Sequence, residues 1–259
     1  MSRKNRRSKD QPPKEDKSIH VPQKSKVDLN LQIRQLPWTD KQKELIQLLQ
    51  NKNTEMVIIK GPAGSAKTAI AVYCALEALN SKKIGEIVYV RSIVESTSHG
   101  MGYLPGELEE KLTPYLTPLF DKMEEFLQPS QAQYLVNAEK IRGTPIGFMR
   151  GMSINCAHII ADECQNFTAK ELLTLMTRVG KHTKLIMTGD IRQSDIKDSG
   201  FLNVYSAFDN DEARNHGIYT FKFGLEDIMR SEVVKYIVKK FEDIQGLSPQ
   251  NSDWTPKKP

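Results

Sequence analysis

Short, almost wholly apolar runs alternate along this chain with longer stretches whose apolar residues recur at helical spacing. The short runs are Met56–Lys60, Glu86–Arg91, Ala157–Asp162, Lys184–Gly189 and Tyr219–Phe223. Four of these five are near-continuous in apolar residues rather than alternating. A strand reads that way when both of its faces are covered, because neither side then meets water. Helical patterns are predicted to start at Thr39, Lys67, Glu107, Thr168 and Ser231. Thr39 with Gln42, and Thr168 with Glu171, have the spacing of a capping box. Strands alternating with helices predict an α/β fold: a mostly parallel sheet, right-handed crossovers and helices on both faces. No internal repeat is visible.

The pattern fades at both ends. Met1 to about Lys26 carries nine Lys and Arg residues, is broken by Pro12-Pro13, and has almost no large apolar side chains. Such a stretch cannot bury enough surface to offset the entropy of ordering, so a disordered basic tail is expected. It would either touch nucleic-acid phosphates without sequence preference or simply solubilise the chain. From about Gly246 the chain is rich in Pro, Ser, Asn and Lys and reads as a second tail. The expected organisation is a basic tail over 1–33, one folded domain over 34–245 and a flexible tail over 246–259.

A chain of 259 residues can hold one sizeable α/β core. No apolar run is long enough to span a bilayer, and no apolar segment follows the basic N-terminus, so neither membrane association nor a secretory signal is expected. Cys74, Cys156 and Cys164 are scattered and odd in number, which speaks against a disulfide scaffold or a zinc site. They fit a reducing cytosol, and the expected location is cytoplasmic. The net charge of +5 is modest, so its distribution matters more than its sum.

Candidate chemistry sits at the ends of the strand runs. Met56–Lys60 leads into Gly61-Pro62-Ala63-Gly64-Ser65-Ala66-Lys67-Thr68, and a helical pattern follows. Strand, small-residue loop and helix start in that order form a phosphate cradle, with loop N–H groups and the helix dipole facing an anion. Lys67 would sit against the β- and γ-phosphates of a nucleotide, and the Thr68 hydroxyl would ligate Mg2+. The P-loop pattern asks for glycine where Ala66 stands, and a Cβ there restricts backbone torsion and crowds the phosphates. The alternative is an ordinary strand-to-helix turn with a surface lysine. Ala157–Asp162 ends in Asp162-Glu163. Adjacent residues of a strand point to opposite faces, so the two carboxylates would divide the work. Asp162 would hold Mg2+ through its water shell, and Glu163 would orient and deprotonate the attacking water. Glu163 separates hydrolysis from binding alone. The third strand end carries Thr188, Asp190 and Gln193, within reach of a γ-phosphate, since ligands of open α/β sheets bind beyond the carboxyl ends of strands.

Together these motifs resemble the PhoH-like, phosphate-starvation-inducible ATPases, which are similar to the first motor domain of superfamily 1 helicases. The resemblance runs from about Leu36 to Asp243. Its most specific pieces are Gly102 to Leu119, Phe148-Met149-Arg150-Gly151, Asp162-Glu163-Cys164-Gln165-Asn166 and Thr188-Gly189-Asp190-Ile191-Arg192-Gln193. Ala66 and Cys164 depart from the glycine and alanine usual in the family. The resemblance implies a single RecA-like P-loop NTPase domain, ATP and Mg2+ as cofactors, ATP hydrolysis, and RNA or single-stranded nucleic acid as partner with possible helicase-type activity. Some relatives carry an added nuclease domain, which is not carried over to this chain.

Other residues keep two readings. Gln42, in Leu36-Pro37-Trp38-Thr39-Asp40-Lys41-Gln42, resembles the helicase Q motif and would contact adenine, or it is an exposed helix glutamine. Trp38 would pack beside the base or staple the helix. Ser92–Gln128, read as a charged amphipathic segment broken by Pro114 and Pro118, would lie near a polynucleotide track through Arg91, Ser92 and Ser96–Ser98, or be a surface excursion packing a neighbouring subunit. Arg230, with Arg192 and Arg150 as rivals, would stabilise charge on the γ-phosphate, or form a helix-start salt bridge. Too little chain follows Gln193 for a second motor domain. The arginine clamp would then come from another copy, which leads to the expectation of a homo-oligomer: a head-to-tail ring, a hexamer, with ATP at each interface. Against the ATPase stands a nucleotide-gated nucleic-acid-binding or assembly protein with little turnover. A small-molecule kinase fits less well, because no arginine-rich lid is visible.

Overall fold

The computed structural model describes residues 29–92 and 108–245. Its strands are β1 (Met56–Lys60), β2 (Glu86–Arg91), β3 (Ile141–Pro145), β4 (Ala157–Asp162), β5 (Lys184–Gly189) and β6 (Ile218–Lys222). They form one sheet in the order β3-β2-β4-β5-β1-β6, and every neighbouring pair is parallel. The helices are α1 (Asp40–Gln50), α2 (Lys67–Asn80), α3 (Leu108–Glu124), α4 (Pro129–Asn137), α5 (Ala169–Met176), α6 (Phe201–Ala207), α7 (Asp211–Asn215) and α8 (Glu232–Gln245). This is an α/β fold, a parallel sheet with helices on both faces, as expected.

The continuous apolar strands have the cause inferred for them. Val57 and Ile59 of β1, Ile87 and Tyr89 of β2, and Ile186 of β5 face one core, under α1, α2, α3 and α4. The intervening Ile58, Val88, Val90, Leu185 and Met187 face a second core under α5 and α6. Successive strand residues point to opposite faces, so a sheet with helices on both sides must be apolar at every position. Helix α2 is buried nearly all round, from Ala69 to Leu76. It is wedged between the sheet and its neighbours, and no face needs to be polar. Both capping boxes form: Thr39 with Gln42 opens α1, and Thr168 with Glu171 opens α5.

Four features depart from expectation. Edge strand β3 was not anticipated: Ile141-Arg142-Gly143-Thr144-Pro145 has a weak strand pattern, and it pairs only with β2. An edge tolerates the proline and glycine that a central strand would not. Helices α4, α6 and α7 are too short for a clear period. Helix α3 runs unbroken through Pro114 and Pro118, correcting the reading of a segment broken there. Proline forfeits one backbone bond and strains the turn before it, but packing of Leu119 and Met123 into the core keeps the helix going. Of the tail expected over 1–33, residues 1–28 lie outside the described residues, as do the tail from Gly246, Ser96–His99 and Gly102–Glu107. Residues 29–33 correct that expectation: Leu31 is buried in the core and its N–H donates to Asn80 Oδ1 at 2.9 Å, so the folded domain begins before residue 34.

Candidate active site

Between Lys60 and Lys67 the chain must turn from strand to helix in six residues, 61–66. At Gly61 an added Cβ would come 2.6 Å from Phe223 Cβ, so only glycine fits. Gly64 has φ +84, and a Cβ there would meet the Arg230 side chain. The Ser65 hydroxyl donates to the Pro62 carbonyl at 2.8 Å and closes the turn. Ala66 takes φ 65 and ψ 18, the left-handed region, and its methyl packs against the core. The departure from glycine is therefore met by torsional strain. Lys67 Nζ donates to the Gly61 and Pro62 carbonyls, both at 2.8 Å. Burial pulls the pKa of Lys67 down, and the carboxylates of Asp190, Asp162 and Glu163 pull it back up.

Strand β5 lies between β1 and β4, which decides what stands between the loop and Asp162. Asp162 Oδ1 accepts from the Thr68 hydroxyl at 2.8 Å and from the Thr188 hydroxyl at 2.5 Å. Its Oδ2 accepts from Tyr89 OH at 2.8 Å. Burial, and then the charge of Asp162, push the Tyr89 phenol pKa up far enough to keep it a donor. Glu163 takes the left-handed conformation, φ 55, which turns the chain off the strand. Gln165 Nε2 donates to Glu163 Oε2, while its Oε1 accepts from the Asp190 N–H at 2.9 Å. Asp190 Oδ2 in turn accepts from the Ala63 N–H at 2.9 Å. The ends of β4 and β5 and the loop after β1 are thus joined by one chain of hydrogen bonds.

A strap after β6 crosses the loop. The Met229 N–H donates to the Gly64 carbonyl at 2.9 Å. The strap is anchored by Asp227, which accepts from the Gly224 N–H at 2.7 Å and from Lys41 Nζ at 2.9 Å. Arg230 is thereby held at the cleft of its own chain. The cleft has a volume of about 470 Å3, and Lys67, Thr68, Asp162, Glu163, Gln193 and Arg230 all line it. Thr68 and Asp162 offer hard oxygens of the kind Mg2+ takes when most of its other ligands are phosphate and water.

Residues 35–242 match the family description of PhoH-like proteins. The chain belongs to the PhoH-like family. A PhoH-like protein of Synechocystis sp. is 33% identical over 214 residues, covering 82% of this chain and 63% of that one. Protein PhoH of Escherichia coli is 33% identical over 185 residues, covering 70% and 51% respectively. The chain thus spans between half and two-thirds of these relatives' length. Among solved structures, Pif1 helicase from Candida albicans is similar over 82% of this chain and 44% of that one, with a TM-score of 0.39 and 15% identity.

Not every residue singled out from the sequence reaches the PhoH-like cleft. Gln42 does not line it: its side chain is buried, and its Oε1 accepts from the Thr39 N–H at 3.0 Å. Gly61, Pro62 and Ser65 build the back of the loop, whereas Ala63, Gly64 and Ala66 line the cleft. Trp38 packs against Tyr73 and Phe126, with ring centroids 5.4 and 6.0 Å away. Arg150 and Arg192 are not among the lining residues. Cys164 is fully buried and packs as a small core residue. Sequence reasoning missed Tyr89, an ordinary apolar-strand tyrosine until β2 is laid beside β4. It also missed Lys122 and Glu125, an ion pair of 2.6 Å that lines the cleft from the end of α3. Their spacing matches any solvated helix pair, so no sequence signal marks them. Among the described residues, no helix is long and apolar enough to cross a membrane.

Proposed function

We propose that this PhoH-like protein binds ATP with Mg2+ and hydrolyses it, coupling the cycle to RNA or single-stranded nucleic acid. The observation that carries the reading is the Asp162 carboxylate shared by Thr68 and Thr188, with Glu163 and Lys67 lining the same cleft. Thr68 and Asp162 would hold Mg2+, which would supply positive charge against the phosphate groups. Lys67 would exchange the Gly61 and Pro62 carbonyls for phosphate oxygens, a stronger pairing for a buried ammonium. Glu163, oriented by Gln165, would take a proton from the attacking water. Arg230 would stabilise charge developing on the γ-phosphate, and Gln193 lines the same cleft. The basic stretch ahead of residue 29 supports a nucleic-acid partner.

The test is phosphate release by purified protein, with and without RNA, for wild type and Glu163→Gln. Loss of turnover with nucleotide binding kept is the expected result. Wild-type turnover no higher than that of Glu163→Gln would favour the second reading, a nucleotide-gated binding protein, to which the strained Ala66 lends support. Assembly into a head-to-tail ring, a hexamer with sites completed between subunits, belongs to the same proposal. Arg230 lines its own chain's cleft, so mixing Lys67→Ala with Arg230→Ala subunits decides the point. Restored turnover requires a site shared between chains, and no restoration leaves the arginine acting in its own chain.

A further inference from the structure

A second cavity, of about 390 Å3, opens at the amino edge of the sheet, the edge away from the nucleotide cleft. Lys184 begins β5, His158 is near the start of β4, and Thr54 precedes β1. The last turns of α1 and α2 complete the wall. Lys184 Nζ donates to the Leu49 and Asn51 carbonyls at the end of α1. An ammonium has three donors, so one remains for the cavity.

Two further groups there lack partners. His158 Nδ1 and Thr54 Oγ1 are buried with no hydrogen bond among the described residues, in side chains 8% and 2% exposed. Buried polar atoms are nearly always bonded, and these two stand unsatisfied within the wall behind the lysines, with almost no surface of their own open to the cavity. Exposed Lys52 and Lys83 stand on the same lining. Neither they nor Lys184 form an ion pair among the described residues. Glu55 and Glu77 share the wall, but three lysines outnumber them. Burial, and then the charges of Lys184 and Lys83, push the pKa of His158 down to about 3. Cationic groups are thus crowded around a neutral imidazole, an arrangement that an anion relieves and a cation worsens.

We propose that this cavity binds a small oxyanion, held by Lys52, Lys83 and Lys184, with His158 in the wall beside it. The site is separate from the nucleotide cleft. The two are linked by α2, whose first residues line the cleft and whose Cys74, Glu77 and Ala78 line the cavity, and by β4 and β5, which carry His158 and Lys184 at the cavity and Asp162 and Thr188 at the cleft.

The test uses the full chain carrying Lys67→Ala, which weakens anion capture by the P-loop. Histidine Cε1 is isotopically labelled, the His158 signal is assigned with His158→Gln, and inorganic phosphate and acetate are titrated separately. The His158 signal is expected to move saturably. A stronger response to phosphate marks a tetrahedral oxyanion, and a stronger response to acetate marks a carboxylate. Lys52→Gln with Lys83→Gln, both at exposed positions that leave the fold intact, should weaken the response about tenfold, the worth of one charge-assisted hydrogen bond. A His158 signal that neither anion moves overturns the proposal, as does one that moves equally in the double lysine variant.

Discussion

Replacing Ala66 with glycine should stabilise the protein, although the same change inside a helix usually does the reverse. Ala66 holds φ 65 at the residue before α2, where a side chain is strained. For an L-residue with a Cβ, that conformation costs roughly 1–2 kcal/mol. Glycine removes the strain but has more freedom in the unfolded chain, which takes back about 0.4–1 kcal/mol. The methyl group of Ala66 is half-buried against the core, so its loss costs ~0.4 kcal/mol, half the value of a fully buried one. Taking the middle of each range, Ala66→Gly is stabilising by about 0.4 kcal/mol. Ala78→Gly provides the control, because Ala78 is also half-buried but lies inside α2. There the same change should cost about 1 kcal/mol. Urea unfolding followed by far-UV circular dichroism reads both midpoints, provided that the slopes agree. Should Ala66→Gly be destabilised as much as Ala78→Gly, the strain assigned to the loop is wrong.

Tyr89→Phe keeps the ring and removes the donor to Asp162 Oδ2, so it should lower stability by about 1.5–3 kcal/mol in urea unfolding, the range for a hydrogen bond to a charged group. A loss indistinguishable from zero would mean that Asp162 does not depend on that phenol. Gln165→Leu should lower phosphate release on the order of tenfold to a hundredfold, a part of what a positioned base supplies, and leave nucleotide affinity nearly unchanged. Equal losses in binding and turnover would assign Gln165 a purely architectural role. Burial holds the His158 pKa at about 3 in the folded protein, below its ordinary 6.5. The unfolded chain therefore takes up that proton first, and stability falls as pH drops from about 6.5 towards 3. His158→Leu should flatten this limb in a pH series of unfolding midpoints, and an unchanged slope would show that other groups set it.

Much of the architecture was legible in the one-dimensional pattern. The central strands were visible because a sheet covered on both faces has no position that tolerates polarity, and Ile58 and Ile59 are needed equally on opposite sides. The starts of α1 and α5 were visible because capping is local chemistry, settled within four residues. The same locality hid an ambiguity at Gln42, whose spacing suits both a cap and a base contact; the folded chain uses its carboxamide oxygen for the cap. Strand β3 and helices α4, α6 and α7 were illegible because their residues carry weak periodicity and are held by neighbours distant in sequence.

What the sequence determined by itself was the local alphabet of the site: a small-residue loop ahead of Lys67-Thr68, acids at a strand end, polar groups at another. Only the tertiary structure decided how they meet. Strand order places Thr188 between the loop and Asp162, brings Tyr89 to the carboxylate's other oxygen, and swings the strap with Arg230 across Gly64. Hydrogen bonds to neighbours in the chain leave a spacing that can be read. Those that join residues 26, 73 or 127 positions apart depend on which strands lie side by side, and no short motif records that choice.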